Sequence, residues 1–258
     1  MTDDEELWRQ YESFHLKQGL GFWSPAVVTL PFGTLMIRNA ADSHILWQGD
    51  LTRHPHREII ETSEDAARRW DNVPSFYLSP SWKGDVEGFR KSLQESGYTK
   101  KLDVLWLTLD NLDHVEDMPQ SSCVVEITRD AKGVENVYAT CFPERPDFAP
   151  EMGRHAAAPK TVVDSPVFAA CDGDAVVGMV GAFHDGNFGY LYSLGVLPEY
   201  RNRGIGKHLV RQCLLHMKQA SVRHVVCGVY AANAVALDMQ KRAGYRVFAA
   251  AESWMKAT

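Results

Sequence analysis

The sequence predicts an α/β (α+β) protein in which a mixed, largely antiparallel sheet is flanked by helices and preceded by a smaller α/β domain. Three observations carry that expectation. Apolar runs of strand length alternate with amphipathic stretches of helical length along the 258 residues. Two tight turns, Asp172-Gly173-Asp174 and His184-Asp185-Gly186-Asn187, join three successive apolar runs as hairpins, hence an antiparallel meander. A polar, acidic stretch with one proline, residues 110–122, separates two strand-like runs and reads as a linker. The expected domains are therefore residues 1–115 and 121–258.

In chain order, Trp8 to Lys17 has a helical pattern, Ala26 to Ile37 and His44 to Trp47 are extended, and Arg57 to Trp70 reads as a charged surface helix. A strand at Ser75 to Leu78, a helix at Val86 to Ser96 and a strand at Val104 to Leu109 follow. Beyond the linker, Val124 to Arg129 alternates as a strand and Val134 to Phe142 suits a helix. The proline-containing interval through Pro159 is expected to be irregular or briefly helical. The meander strands are Val167 to Cys171, Ala175 to Phe183 and Tyr190 to Leu197. A helix from Gly204 to Ala220, a strand at His224 to Tyr230, a helix from Asn233 to Arg242 and closing strands at Tyr245 to Ala250 and Ser253 to Met255 complete the layout.

Composition narrows the function classes. The five cysteines are far apart with no C-x-x-C spacing, which argues against a zinc site or a disulfide framework. His54-Pro55-His56 is the one close histidine pair and lacks nearby cysteines or patterned carboxylates, so no metal is expected. An acidic start, Thr2 to Glu6, and the lack of an apolar run long enough to span a bilayer lead to the expectation of a cytoplasmic protein without membrane contact. Acids outnumber bases 20 to 12 before Ser121, whereas bases outnumber acids 15 to 13 after it. That balance disfavours nucleic acid as a partner and leaves room for a local basic patch in the second part.

The helix opening at Gly204 carries Leu209, Val210, Cys213, Leu214 and Met217 at spacings of three and four, so one face is buried. Its N-terminus presents unpaired N–H groups and a partial positive charge, and glycines at 204 and 206 let phosphate oxygens come close to the backbone. The segment Arg201-Asn202-Arg203-Gly204-Ile205-Gly206, followed by Lys207, thus reads as a site for pyrophosphate. Glycines at a strand-to-helix turn are also common punctuation; the context raises this one, because the string from Leu194 to Val210 resembles the signature of the GNAT superfamily of N-acetyltransferases. Asn233 to Tyr245 resembles a further segment of that family, with Asn233, Ala236, Gly244 and Tyr245 in register. Asn233 also suits a helix N-cap and Gly244 a helix C-cap.

The resemblance implies the acyl-CoA N-acyltransferase fold from about Ser121 onward, with acetyl-CoA as cosubstrate and direct attack by an amine, small-molecule or peptide. It implies that the main chain of Leu194, Gly195 and Val196 pairs with the pantetheine arm, and that Arg201, Asn202, Arg203, Gly204, Ile205, Gly206, Lys207 and Asn233 hold the cofactor. Glycine inside a strand, as at Gly195, marks a bulge or a close backbone approach. Family bases map onto Tyr190 and Tyr192, where an ordinary phenol is a poor base at neutral pH and better suited to hold a water or line the amine site. The position where many relatives carry a proton-donating tyrosine is Gln240, which cannot supply a proton. That departure keeps open a non-catalytic acyl-CoA-binding or regulatory role, and a homo-oligomer is equally open. Finally, Phe76-Tyr77-Leu78 and the helix ending Gly97-Tyr98 echo Val229-Tyr230-Ala231 and the helix ending Gly244-Tyr245, a sign of a degenerate first copy. No glycine lies between Asp50 and Lys83, so the first copy lacks a phosphate loop; an unrelated cap domain is the alternative.

Overall fold

The computed structural model describes residues 2–38 and 44–256; Met1 of the acidic start and the last two residues lie outside them. The chain divides into two compact units, one comprising Met1–Leu107, Gly228–Lys241 and Arg246–Thr258, the other Thr108–Cys227 and Arg242–Tyr245. These limits differ from the expected 1–115 and 121–258. The linker falls inside the second unit, and two C-terminal segments group with the first. The cause is long-range strand pairing, which leaves no local trace in sequence.

In the first unit, helix α1 (Asp3–Gln18) starts with a reciprocal cap: Thr2 Oγ1 accepts from the Glu5 N–H while the Glu5 carboxylate accepts from the Thr2 N–H. Strands β1 (Ala26–Leu30), β2 (Gly33–Ile37) and β3 (His44–Gly49) form an antiparallel meander. Helix α2 (His56–Arg68) follows, burying Ile59, Ile60, Ser63 and Ala67 along one stripe while Arg57 and Glu61 pair on the other. It returns the chain to β4 (Pro74–Leu78), which runs parallel to β3 with Leu46 beside Phe76. Helix α3 (Val86–Glu95) and β5 (Tyr98–Leu109) complete the chain order.

Within this unit the strand order is β1-β2-β3-β4-β11-β5, where β11 (Arg246–Lys256) is one continuous strand in place of the two closing strands expected. It runs antiparallel to β4, with Trp254 opposite Phe76. One sheet face packs Leu46, Phe76 and Trp254 against Ile59 of α2 and Phe89 and Leu93 of α3. The alternate residues Trp47, Tyr77 and Trp106 meet Trp8, Tyr11 and His15 of α1 on the opposite face. Inside this aromatic layer Glu12 is buried, accepting from Ser81 Oγ at 2.6 Å, Gln48 Nε2 at 2.7 Å and Ser79 Oγ at 3.2 Å, and burial raises its carboxyl above the usual range.

The second unit has strand order β10-β9-β8-β7-β6, formed by β6 (Val124–Ile127), β7 (Val167–Asp172), β8 (Ala175–His184), β9 (Phe188–Val196) and the start of β10 (His224–Tyr230). Pairing is antiparallel except between β9 and β10, which are parallel. Helix α4 (Ala131–Cys141) is capped by Asp130, whose Oδ1 accepts from the Gly133 N–H at 2.9 Å. The proline-containing interval includes a defined helix, α5 (Ala149–Ala157). Helix α6 (Ile205–Gln219) covers the face that carries Gly178, through Ile205 and Leu209, and α4 covers the opposite face at Gly195. The last helix, α7 (Ala234–Arg242), precedes β11. Among the described residues no helix is long and apolar enough to cross a membrane.

Candidate active site

Strand β9 bends where the resemblance placed its ligand-pairing segment. Gly181 lies opposite Tyr192 but Met179 lies opposite Gly195, so β9 has one residue more than β8 across this step. Ser193 absorbs it at φ 52°, a left-handed conformation uncommon for a residue with a Cβ. On its other edge β9 pairs with β10 only over Phe188–Tyr190, opposite His224–Val226. The outward main-chain edge at Leu194 and Gly195 therefore faces no strand among the described residues. Gly195 is required for a second reason: a Cβ there would lie 2.9 Å from Cys141 Cβ and 3.0 Å from its Sγ. Both expectations for this glycine, a bulge and a close approach, apply to this stretch, with the bulge itself at Ser193.

The loop that follows is pinned by its own arginines. Arg201 Nε donates to the Val196 carbonyl at 3.0 Å, and Arg203 donates to the Glu199 carbonyl at 2.9 Å while its guanidinium lies 5.0 Å from the Tyr200 ring. Both side chains are exposed, and neither they nor Lys207 form an ion pair among the described residues. Asn202 at φ 61° and Gly204 at φ 79° turn the chain into α6. Gly204 is the N-cap, so no side chain closes the helix, and its carbonyl receives its first helical bond from the His208 N–H. The N–H groups of Ile205, Gly206 and Lys207 thus lack helical acceptors, and a Cβ at Gly204 would meet nothing within 4 Å. Open space, three N–H groups without helical acceptors and the positive end of a fifteen-residue helix meet here, with Arg201, Arg203 and Lys207 adjacent in sequence.

The aromatic candidates lie on the α4 and α5 face of the sheet. Tyr192 stacks on Phe183 at 4.8 Å and lies 6.2 Å from the half-buried Tyr190. Burial drives the Tyr192 phenol well above its usual range, so its ionised form is not a base near neutral pH. Asn233 is exposed and acts as the N-cap of α7, its Oδ1 accepting from the Ala236 N–H at 3.1 Å. Gln240 is buried, and its Oε1 has no hydrogen-bond partner among the described residues. Asp185 is a turn residue, accepting from the N–H groups of Asn187 and Phe188.

Sequence reasoning missed Cys141 and Phe142, which line the approach to Gly195. Burial pushes the Cys141 thiol up, opposed by a hydrogen bond with Arg201, so it is no ready nucleophile. It also missed Ser193, because nothing in a serine announces positive φ.

Residues 131–245 match the model of the acetyltransferase (GNAT) family. A mycothiol acetyltransferase of Corynebacterium glutamicum is 34% identical over 109 residues, which cover 39% of this chain and 37% of that protein. The match thus spans little more than a third of that curated relative. Among solved structures, a GCN5-related N-acetyltransferase from Kribbella flavida is similar with a TM-score of 0.68 at 13% identity, over 100% of this chain and 97% of the other. A tandem GNAT protein from the clavulanic acid biosynthesis pathway is similar with a TM-score of 0.61 at 15% identity, over 92% and 85% of the two chains. The structural likenesses establish the fold, a mixed and mostly antiparallel sheet with flanking helices of the acyl-CoA N-acyltransferase type. The likeness to the acetyltransferase (GNAT) family thus lies in residues 131–245, a little under half of the chain and the stretch that holds the bulged strand and the glycine loop.

Proposed function

We propose that this protein moves an acetyl group from acetyl-CoA to an amine by direct attack on the thioester. The observation that carries the reading is the uncapped N-terminus of α6 set directly after a bulged strand whose outer edge is open. The N–H groups of Ile205 to Lys207 suit a pyrophosphate, with Arg201, Arg203 and Lys207 supplying positive charge around it. The edge at Leu194 and Gly195, continued by the Val196 N–H, suits the amide groups of a pantetheine arm, and an N–H there would stabilise the oxyanion that forms as the amine attacks. Acetyl-CoA supplies the activated acyl group; the protein's part is to orient it and to exclude water.

Tyr190 and Tyr192 give the α4 and α5 face an aromatic wall that fits an acceptor site, with a bound water the better proton acceptor given the raised Tyr192 phenol. A relative named for acetyl transfer supports the same activity here, without naming the acceptor. A purely acyl-CoA-binding role is favoured by one observation, glutamine at position 240. The two separate cleanly: acetyl-CoA should raise the melting temperature in both, but only an enzyme releases free thiol and an equal amount of acetylated amine across a panel of amines. Thermal stabilisation with no thiol release on any amine would overturn the enzymatic reading; no stabilisation at all would overturn the cofactor site.

A further inference from the structure

At the far end of α6 from the glycine loop, three side chains from three segments converge. His184 Nε2 at the end of β8 lies 3.2 Å from His216 Nε2 in the last turns of α6 and 3.1 Å from Asp164 Oδ2; His216 Nε2 lies 3.9 Å from the same oxygen. Two imidazole nitrogens this close can share a single proton, and with the carboxylate oxygen beside them three atoms able to ligate a metal lie within 4.8 Å of one another. A zinc ion with bonds of about 2.0–2.1 Å in a tetrahedral shell holds its ligand atoms about 3.3 Å apart, close to the spacing seen here.

The cluster is also held in advance. Asp164 and His184 exchange both main-chain hydrogen bonds, at 2.9 and 3.2 Å, which fixes their Cα positions. The second Asp164 oxygen, Oδ1, accepts from the Ser165 N–H at 3.0 Å, leaving Oδ2 toward the imidazoles. The His216 ring is braced edge-on by Phe168 at 5.6 Å and meets the His184 ring at 65°. His184 is 8% exposed, His216 28% and Asp164 63%, so the convergence point is walled by protein on one side and open to water on the other.

We propose that Asp164, His184 and His216 bind one divalent transition-metal ion, zinc being the ion this donor set and spacing fit best, with water as the fourth ligand. Twelve residues of α6 separate Gly204 from His216, about 18 Å of helix, so the ion lies away from the acyl-transfer site. Its role is to clamp the segment before β7, the end of β8 and the end of α6 to one another. Nothing in this inference depends on the proposed acetyl transfer.

The test uses the full chain stripped with chelator. Calorimetric titration with zinc should return one ion per chain, and zinc should raise the melting temperature. Cobalt in its place should give the intense visible absorption of a low-coordinate site. His216→Gln, at a half-exposed position, should weaken zinc at least about a hundredfold, and Asp164→Asn about tenfold or more. Folding of both variants is verified by circular dichroism and by a cooperative thermal transition in the metal-free state. No binding at micromolar zinc, or the same affinity in wild type and in both folded variants, would overturn the site.

Discussion

The molecule contains the same local design twice, once with a helix start that is open and once with one that is closed. In the first unit β3 leads through residues 50–55 into α2 and on to β4; in the second, β9 leads through residues 197–204 into α6 and on to β10. Each pair of strands is parallel over three residue pairs. The two helix starts differ completely. At α2 the N-cap is Pro55, the Thr52 N–H is consumed by Asp50 Oδ1 at 3.0 Å, the Leu51 N–H by the Lys83 carbonyl at 2.8 Å, and Glu58 occupies the first turn. At α6 the cap is a left-handed glycine, no acid lies in the first turn, and Arg201, Arg203 and Lys207 flank it in sequence. Topology positions a helix terminus, but whether an anion can use it depends on the half-dozen residues of the turn. The parallel extends to the ends of α3 and α7, closed by Gly97 at φ 82° and Gly244 at φ 93°, each followed by a buried tyrosine.

The two turns differ most at Gly204. Gly204→Glu places a carboxylate where the pyrophosphate is proposed to sit and asks a residue with a Cβ to hold φ 79°. The expected result is loss of the acetyl-CoA-induced rise in melting temperature, with affinity down by more than about a hundredfold, the scale of several lost charge-assisted hydrogen bonds. Calorimetry on the wild type should return one coenzyme A per chain, because the turn at residues 50–55 offers no equivalent. An unchanged thermal response in a folded Gly204→Glu protein, or two equivalent sites per chain, would show that the turns do not differ in the way argued here.

Most of the strands and helices were legible in sequence, because each buries one face and its period follows: the β10 limits, His224 to Tyr230, match to the residue. The glycine loop was legible because glycines and basic residues act locally. What was not legible depends on distant partners. The placement of β11 beside β4 is a pairing across about 175 positions, set by Trp254 and Phe76 sharing a core. Nothing local in the sequence announces that Glu12 is buried, and it is so because Gln48, Ser79 and Ser81 arrive from two other segments to satisfy it. His184 reads as a turn residue, and only the fold brings Asp164 and His216 to it. The proposed ion therefore runs against the expectation of no metal, which rested on close spacing in sequence.

Each unit also carries a buried histidine, and acid acts on both. Burial lowers His15 in the first unit to about 3 and His155 in the second to about 4. Both stay neutral in the folded protein while their unfolded counterparts take up protons below about 6.5. Their contribution is present above that pH and is lost as pH falls toward the folded values. Between pH 7 and 5 each should cost about 2 kcal/mol of stability. Denaturant titrations at the two pH values should show that His155→Gln loses about 2 kcal/mol less than wild type over this interval, and His15→Gln similarly. Equal losses in wild type and variant would mean that the histidine is protonated in the folded state.

The smallest expected loss concerns Gln240, the position where the family resemblance calls for a proton donor. The side chain is buried and its Oε1 unpartnered among the described residues, so it contributes at most one hydrogen bond to a bound ligand. A glutamine cannot hand a proton to a leaving thiolate, so if the protein turns over, water performs that step. Removing one hydrogen bond costs about 1 kcal/mol, so Gln240→Ala should lower kcat less than about tenfold. Gln240→Tyr installs a phenol in its place and should leave kcat unchanged or raise it, by up to about a hundredfold where the hydroxyl reaches sulfur. Steady-state kinetics on any accepted amine reads both variants, with the thermal response to acetyl-CoA confirming intact binding. A thousandfold fall in Gln240→Ala at full cofactor affinity would give the glutamine an essential part in the chemistry, and the absence of a tyrosine would then mark a different mechanism for the same step.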